Sequence, residues 1–533
     1  MESPPGPVSA AFRVCVVLSL LVMSLLFWSA GRHASVIVDG TRYHYLDDDQ
    51  MISMRYARNL AEGHGLVWNA GERVEGYTNF GWTLVMAGVH ALGASDARAA
   101  LWVRCINWGL ACGVLLLTAQ LLVRLGLGRA HAAIGALLTL ALAYDFLFWA
   151  INGFETTLLT AVFLLAVLRA WDDGQAKTFR ASTCLLAGLL PLIRSDAIDL
   201  TVAVVLTAAL LGARRRWWLV GVALLPLLGH EAFRLSYYGE WLPNTYYLKV
   251  AGRPGRFIAG LGNIKGFVAT YTAAAVLAAA AFVWSPDRRV RVTALAIGLG
   301  FVRLSQVGPD IFAGFRFLAP YLPMLLVAAV AGVARISAAS PLALATTTAL
   351  LVLGTVFNNG ISGSGRFAEL VSLNGLPSEN TVAGLVVREN TAESARTVVA
   401  AAGCFAYFAR RPAIDLLGKN DPHVARVRAA PGGATGHDRF DVDWSLRDRP
   451  DIVVSFGSLL LATHAPLLLE ASKAERARDY GAALLLNATF VREYLDHPVL
   501  VPLLTRNNAV FVHQGSPEIA RLDRWRVPAI DQP

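Results

Sequence analysis

Charge is scarce in this sequence. Asp, Glu, Lys and Arg make up 16% of its 533 residues, against roughly 25% in an ordinary soluble domain. Apolar and aromatic residues make up 55%. A soluble chain of this length could not hide that much apolar surface, which excludes a disordered chain, a coiled coil and an ordinary cytosolic enzyme. Cysteine is also sparse: Cys15, Cys105, Cys112 and Cys184 fall inside apolar runs, and only Cys404 lies in the polar C-terminal region. Without a CxxC spacing, neither a disulfide framework nor a cysteine-based zinc site is expected. P-loop, GxSxG and HExxH patterns are absent. The missing P-loop counts against an ATP-driven pump. No internal repeat or low-complexity segment stands out.

What is abundant is long apolar sequence. Runs of spanning character occur near 11–30, 101–123, 131–149, 155–171, 182–198, 199–212, 217–235, 264–284, 292–306, 315–334 and 340–357. Several are shorter than the roughly 20 residues of a full span. The first is read as an uncleaved anchor rather than a signal peptide, because its apolar part exceeds the usual h-region and further spans follow.

The formal charge of +9 needs no nucleic-acid partner. With a cytoplasmic N-terminus, the inner loops hold Arg124 and Arg129, Lys177 and Arg180, Arg214, Arg215 and Arg216, Arg288, Arg289 and Arg291, and Arg335. The outer loops near 150–154 and 307–314 hold no Lys or Arg, and 236–263 holds Lys249, Arg253 and Arg256. That asymmetry follows the positive-inside rule. The expected fold is a polytopic α-helical membrane protein, about 11 transmembrane helices within residues 1–357, ending outside. Residues 31–100 form an outer loop whose short apolar segment 80–93 lies on or dips into the outer leaflet. Residues 358–533 form a soluble extracytoplasmic α/β domain. Helical stretches (380–400, 460–486) alternate there with β-rich runs (Thr397–Ala401, Asp451–Ser455, Ala509–Val512).

The first outer loop opens with Asp47-Asp48-Asp49 ahead of a helical stretch at 50–62, where Arg58 and Glu62 are spaced to pair. One aspartate suffices to cap a helix. Three adjacent carboxylates repel one another and suit a general base or a divalent cation. Trp68, Tyr77 and Trp82 follow; they suit sugar stacking or, as the safer reading, an interfacial aromatic belt.

Here the residues reach a family. The stretch DDQMISMRYARNLAEGHGLVWN…GERVEGYTNFGW (48–82) resembles the first outer loop of the GT-C fold membrane glycosyltransferases, which use polyprenyl-phosphate sugars. More narrowly it looks like the terminal β-(1→2)-arabinofuranosyltransferases of mycobacterial cell walls. The likeness extends to GFET (153–156), IRSD (193–196), YYGEWLPNTYYLK (237–249), GPDIFAGFR (308–316) and AIDLLGKNDPHVAR (413–426).

The resemblance implies transfer of a sugar, arabinofuranose in the narrow reading, from a polyprenyl-phosphate donor to a cell-wall glycan. The site would face the outer side of the bacterial inner (plasma) membrane. It makes an aspartate the base: Asp48, paired with Asp49, best matches the family motif, and Asp47 adds a third. Asp48 and Asp49 would also be the ligands of any divalent cation. Arg316, Arg194 and Lys249 are the candidate donor-phosphate ligands, since a guanidinium grips phosphate bidentately. Arg194 with Asp196, and Arg316 with Asp310, could instead be structural pairs. Candidate substrate-binding residues are Arg55, Trp68, Glu75, Tyr77, Asn79, Glu155, Asn244, Tyr247, Asp310 and His423. Glu155 could also simply favour a helix N-terminus, and the buried His230 reads as core. Zinc at Asp421-Pro422-His423 is not expected. Membrane lipid, donor and glycan are the expected partners. A lipid-linked sugar transporter or flippase and a protein O-glycosyltransferase are the rivals. The arabinosyl reading has β linkages in donor and product, so it implies net retention.

Overall fold

In the computed structural model, residues 9–127, 131–251, 256–308, 314–336, 375–430, 433–454, 480–495, 498–502, 507–526 and 528–531 are described, with positions 346, 349 and 353. The protein is a helical membrane protein. The helices Ala10–Arg32 and Asp96–Arg124 and the segment Trp217–Tyr238 are each long and apolar enough to cross a membrane. Two pairs qualify jointly: Tyr144–Ile151 with Thr156–Ala176, bent by 117°, and Phe257–Thr270 with Thr272–Trp284, bent by 94°. Shorter apolar helices are Phe80–Ala91, Ala181–Ile193, Ile198–Leu210 and Ala319–Ala334. The described residues thus supply three to five spans by length and composition. Most of the run 340–357 and most of 460–486 lie outside them.

On the Ala10–Arg32 helix, Val14, Leu21 and Leu25 are exposed while Phe12, Met23 and Phe27 are buried. The exposed side is apolar because its solvent is lipid, whereas a water-facing helix would be polar there. The Ala181–Ile193 helix contains Pro191 and ends in extended backbone at Arg194. Pro191 has no N–H to give the preceding turn, and the helix ends two residues after it, which sets Arg194 and Asp196 at a helix end.

Two small sheets lie outside the bundle. Strands β1 (Ser35–Val38) and β2 (Thr41–His44) form a hairpin. Its two-residue turn, Asp39-Gly40, has both φ angles positive (46° and 75°), which Asp-Gly adopts readily and which matches strand twist. A C-terminal strand, β8 (Ile530–Asp531), pairs antiparallel with β1. The second sheet has the order β4 (Ala413–Asp415), β3 (Thr397–Val399), β5 (Ile452–Val454), β7 (Asn507–Val512), β6 (Pro498–Pro502). Strand β3 is parallel to β4 and β5, while β7 is antiparallel to β5 and β6. The three β-rich runs named from sequence coincide with β3, β5 and β7.

The bundle has its own core, including Phe27, Leu147, Phe163 and Leu326. A second core joins the first loop to the C-terminal region. Met51, Tyr56 and Trp82 pack with Val386, Phe405 and Phe408. Each such side chain contributes about 1.5–3 kcal/mol when taken fully from water. This shared core matters for the site, because it sets the helix bearing the aspartates against the segment 397–421.

Candidate active site

The three aspartates begin the Asp48–Ala61 helix, and consecutive helical side chains diverge by about 100°. Each therefore meets a different partner. Asp47 is the N-cap, its Oδ1 accepting from the Asp49 amide at 3.0 Å. The Asp48 carboxylate accepts from the Gly403 amide (3.1 Å) and the Cys404 amide (2.8 Å). It thereby satisfies the exposed N–H groups at the start of the Cys404–Ala409 helix. Gly403 is needed there: a Cβ would sit 1.8 Å from the Asp48 carbonyl oxygen. Asp49 takes the Lys419 ammonium at 2.6 Å and lines a cavity of about 470 Å³. Its side chain is 17% exposed.

Burial, reinforced by Asp49, pushes the Asp47 carboxyl up. Burial also raises Asp48, although Lys419 and the two amides pull it down. Burial would raise Asp49 as well, but Lys419, Lys249 and Arg316 outweigh it and hold the carboxyl far below the usual carboxylate range. Lys419 is the converse: burial disfavours its charge, and Asp49 and Asp48 more than restore it. At neutral pH the cavity holds an ionised Asp49–Lys419 pair.

Lys419 is posted by its loop. Asn244 Nδ2 donates to the Gly418 and Lys419 carbonyls at 2.9 and 3.1 Å. The Tyr56 hydroxyl donates to Asn420 Oδ1 at 2.9 Å, and Asp415 accepts from the Leu417 and Asn420 amides at 3.1 and 2.8 Å. Lys249 ends the Asn244–Lys249 helix and lines the same cavity. Arg316 stands among the rings of Trp149, Phe154 and Phe317, 5.3–5.5 Å from their centroids. Such rings attract a cation through their faces while excluding water. Arg194 pairs with Glu155 (2.6 Å) and Asp196 (2.7 Å). Asp196 also takes Arg303 at 2.6 Å. Glu155 Oε2 accepts from Gln50 Nε2 (3.3 Å) and Asn79 Nδ2 (3.2 Å), tying this network to the helix that carries Asp49. In all, five cationic side chains and four carboxylates line the cavity.

Of the residues singled out from sequence, Asp49, Tyr77, Asn79, Glu155, Arg194, Lys249 and Arg316 line the cavity. The others sit elsewhere, and their contacts say why. Asp47 and Asp48 are turned to backbone amides. Arg55 donates to the carbonyls of Trp68 (2.7 Å), Ala406 (2.6 Å) and Arg411 (2.8 Å), leaving it no free direction. Trp68 is buried beneath Arg55 and donates to the Ala402 carbonyl. Glu75 is the partner of Arg234 at 2.6 Å. Asn244 acts on the Lys419 loop, and Tyr247 lies under Arg426. His423 stacks on Trp444 at 4.0 Å and bonds Asp441 at 2.9 Å. Asp310 lies outside the described residues.

Sequence reading missed Lys419, although it lies inside the AIDLLGKNDPHVAR motif; only its partner, 370 positions away, marks it out. It also missed Gln50 and Arg234, and it read His230 as core where the side chain lines the cavity. A divalent cation does not fit the described residues. Asp49 already holds an ammonium, and among the described residues no three His, Cys, Asp or Glu side chains group as a metal site would.

A family model described as a domain of unknown function (DUF8728) matches residues 374–505. Two curated proteins, each named terminal beta-(1->2)-arabinofuranosyltransferase, are similar in sequence. That of Mycobacterium tuberculosis is 29% identical over 265 residues, covering 45% of this chain and 39% of its own length. That of Corynebacterium glutamicum is 28% identical over 342 residues, covering 53% of this chain and 47% of its own. The chain thus matches less than half the length of these relatives. In structure it is similar to ArnT from Cupriavidus metallidurans bound to undecaprenyl phosphate, with a TM-score of 0.59 and 14% identity, covering 95% of this chain and 99% of that one. It is also similar to the Archaeoglobus fulgidus oligosaccharyltransferase tethered to an acceptor peptide, with a TM-score of 0.51 and 13% identity, covering 95% and 74%. The chain has the GT-C fold of these membrane glycosyltransferases.

Proposed function

We propose that this GT-C-fold chain is a glycosyltransferase that moves a sugar, arabinofuranose, from a polyprenyl-phosphate donor to a hydroxyl of a cell-wall glycan. In this reading the chain has eleven spans, an inside N-terminus and an extracytoplasmic C-terminal region, and the reaction takes place at the outer face of the membrane. One observation carries the proposal. One carboxylate, Asp49, shares the cavity wall with Lys419, Lys249, Arg316 and Arg194, while the other three there, Glu155, Asp196 and Glu231, are held by arginines. That is the inventory a sugar phosphate and an attacking hydroxyl require: cations for the phosphate and an acceptor for one proton.

The bond from the sugar's anomeric carbon to the phosphate oxygen breaks, and its electron pair leaves with the phosphate. Arg316, Lys249 and Lys419 stabilise the charge that develops there. The acceptor oxygen bonds to the anomeric carbon, and its proton passes to Asp49. The 2.6 Å ion pair with Lys419 makes Asp49 a poor base, because a strongly depressed carboxyl holds a proton weakly. Donor phosphate, by drawing Lys419 to itself, raises Asp49 towards usefulness. Carboxylate and phosphate-binding cations then share one side of the sugar, which suits front-face attack and retention.

The test supplies purified protein with radiolabelled polyprenyl-phosphate sugars, including the arabinofuranosyl one, and an arabinan oligosaccharide. Arabinose transfer with retained configuration is expected. Transfer from a different donor would replace the sugar assignment, an inverted product would end the front-face route, and absence of transfer from every donor would overturn the function.

A further inference from the structure

The Trp217–Tyr238 segment brings a second group of polar side chains to the cavity wall, away from the Asp49–Lys419 pair in sequence and in chemistry. His230, Glu231 and Arg234 all line the cavity. Arg234 is fully engaged: Nε and Nη2 grip Glu75 at 2.6 and 3.2 Å, and Nη1 holds Glu231 Oε2 at 2.5 Å. Two polar atoms beside it are not. His230 is 7% exposed, and its Nε2 has no hydrogen-bond partner among the described residues. The nearest carboxylate oxygen, Glu75 Oε1, is 4.0 Å away, beyond hydrogen-bond reach. Glu231 Oε1 is likewise buried without a partner. Leaving such an atom unmade costs about 1–3 kcal/mol, so a ligand that completes both is favoured by the fold itself.

The chemistry of that ligand is constrained. Two carboxylates, Glu75 and Glu231, against one guanidinium make this wall unfavourable for phosphate. Phe80 lies against the His230 ring, 4.4 Å between centroids, and Phe233 lies 5.7 Å from Phe80. An imidazole nitrogen backed by apolar rings, beside a carboxylate oxygen, suits a neutral ring that bears hydroxyls. We propose that His230 and Glu231 form a hydroxyl-recognition subsite for a neutral sugar ring. Glu231 Oε1 accepts from one hydroxyl and His230 Nε2 bonds to another. The subsite rests on the glycosyl-transfer reading and adds to it the residues that select the sugar. The ring belongs either to the donor or to the acceptor glycan, which share this chemistry.

The experiment uses the full chain in detergent with His230→Leu, His230→Gln and Glu231→Gln. Donor and acceptor are varied separately, and melting temperatures are recorded. His230→Leu should raise one KM about 10-fold, because a buried site left unpaired rejects its partner, with kcat within about threefold. His230→Gln, which keeps a hydrogen-bonding group, should recover most of the loss, and Glu231→Gln should raise the same KM. A rise in donor KM places the donor sugar there; a rise in acceptor KM places the acceptor. Both values unchanged, or a lowered kcat without a KM change, would overturn the subsite. So would equal losses in the Leu and Gln variants accompanied by a lower melting temperature. If the wild type makes no product, calorimetric titration with the arabinan oligosaccharide and with a polyprenyl-phosphate arabinose reads the subsite alone. Tenfold weaker binding of either to His230→Leu supports it, and equal binding refutes it.

Discussion

Two regions of this molecule bury arginine, and they satisfy it differently. Beneath the first loop, Arg55 is 4% exposed and gives its fork to the carbonyls of Trp68, Ala406 and Arg411. Arg58 donates to the Tyr407 carbonyl at 2.7 Å and lies over that residue's ring. Around the cavity, Arg194 is held by Glu155 and Asp196, and Arg234 by Glu75 and Glu231. A guanidinium closed by backbone carbonyls is a staple, since those carbonyls cannot leave. One closed by carboxylates is held by side chains, which can turn away, so the two regions close a buried guanidinium in ways that burial alone does not distinguish.

The sharpest way to break this comparison lies in two neighbouring aspartates. Asp49→Asn should lower turnover about a thousandfold, within the 10²–10⁴ range of a lost proton acceptor, and should lower the melting temperature too, since the buried Lys419 ammonium loses its carboxylate. Asp48→Asn should instead cost about 2–3 kcal/mol of stability through its charge-assisted amide bonds. Turnover and thermal unfolding measured on both variants decide the matter; an equal thousandfold loss of turnover in both would erase the distinction.

Next in size are the arginines. Arg55→Ala should destabilise the protein by about 3–5 kcal/mol, as expected for removing a buried hydrogen-bonded charge. Arg316→Lys should leave the melting temperature alone and raise donor KM about 10-fold, as a point charge replaces a fork. Unfolding scans with donor titrations compare the two regions directly.

A pH series tests the loop that holds Lys419. Burial pushes Asp415 up to about 6, against the pull of Lys419 and Asn420. A carboxyl whose folded value exceeds its unfolded one, about 3.9, binds its proton more tightly in the folded state. Its contribution is therefore present at low pH and lost as pH rises through about 4 to 6. Wild-type stability relative to Asp415→Asn should fall by about 3 kcal/mol between pH 4 and pH 7, read from unfolding at each pH. A flat difference would mean that Asp415 is ionised throughout. Smallest of all, His423→Ala should change turnover less than about twofold and stability by no more than about 1 kcal/mol, typical of a surface pair.

Much of this was readable from sequence for physical reasons. A long apolar run has few alternatives to a membrane helix, and the acidic opening of the first loop marked the region where the cavity forms. Asp49, Glu155, Arg194, Lys249 and Arg316 were all named. What sequence could not supply was direction. Asp47, Asp48 and Asp49 look equivalent in a string, and only the helix start turns them towards an amide, another helix and the cavity in turn. Arg55 and Trp68 belong to the motif, but as packing: they bind 402–411, which no local pattern connects to residue 55. The hairpin β1–β2 was missed because both strands are four residues long, too short for alternation to register.

The pairing of Asp49 with Lys419 also bears on how the protein is made. Synthesis runs from the N-terminus, so the helix carrying Asp49 enters the membrane system some 370 residues before its partner exists. A chain still on the ribosome, with its bundle inserted, has a carboxylate without its ammonium and lacks half of the core around Tyr56 and Phe405. The ion pair and this core form only when the region beyond residue 397 folds back onto the first loop. A chain truncated before residue 397 would sit in the membrane with the Asp49 carboxylate lacking its Lys419 partner.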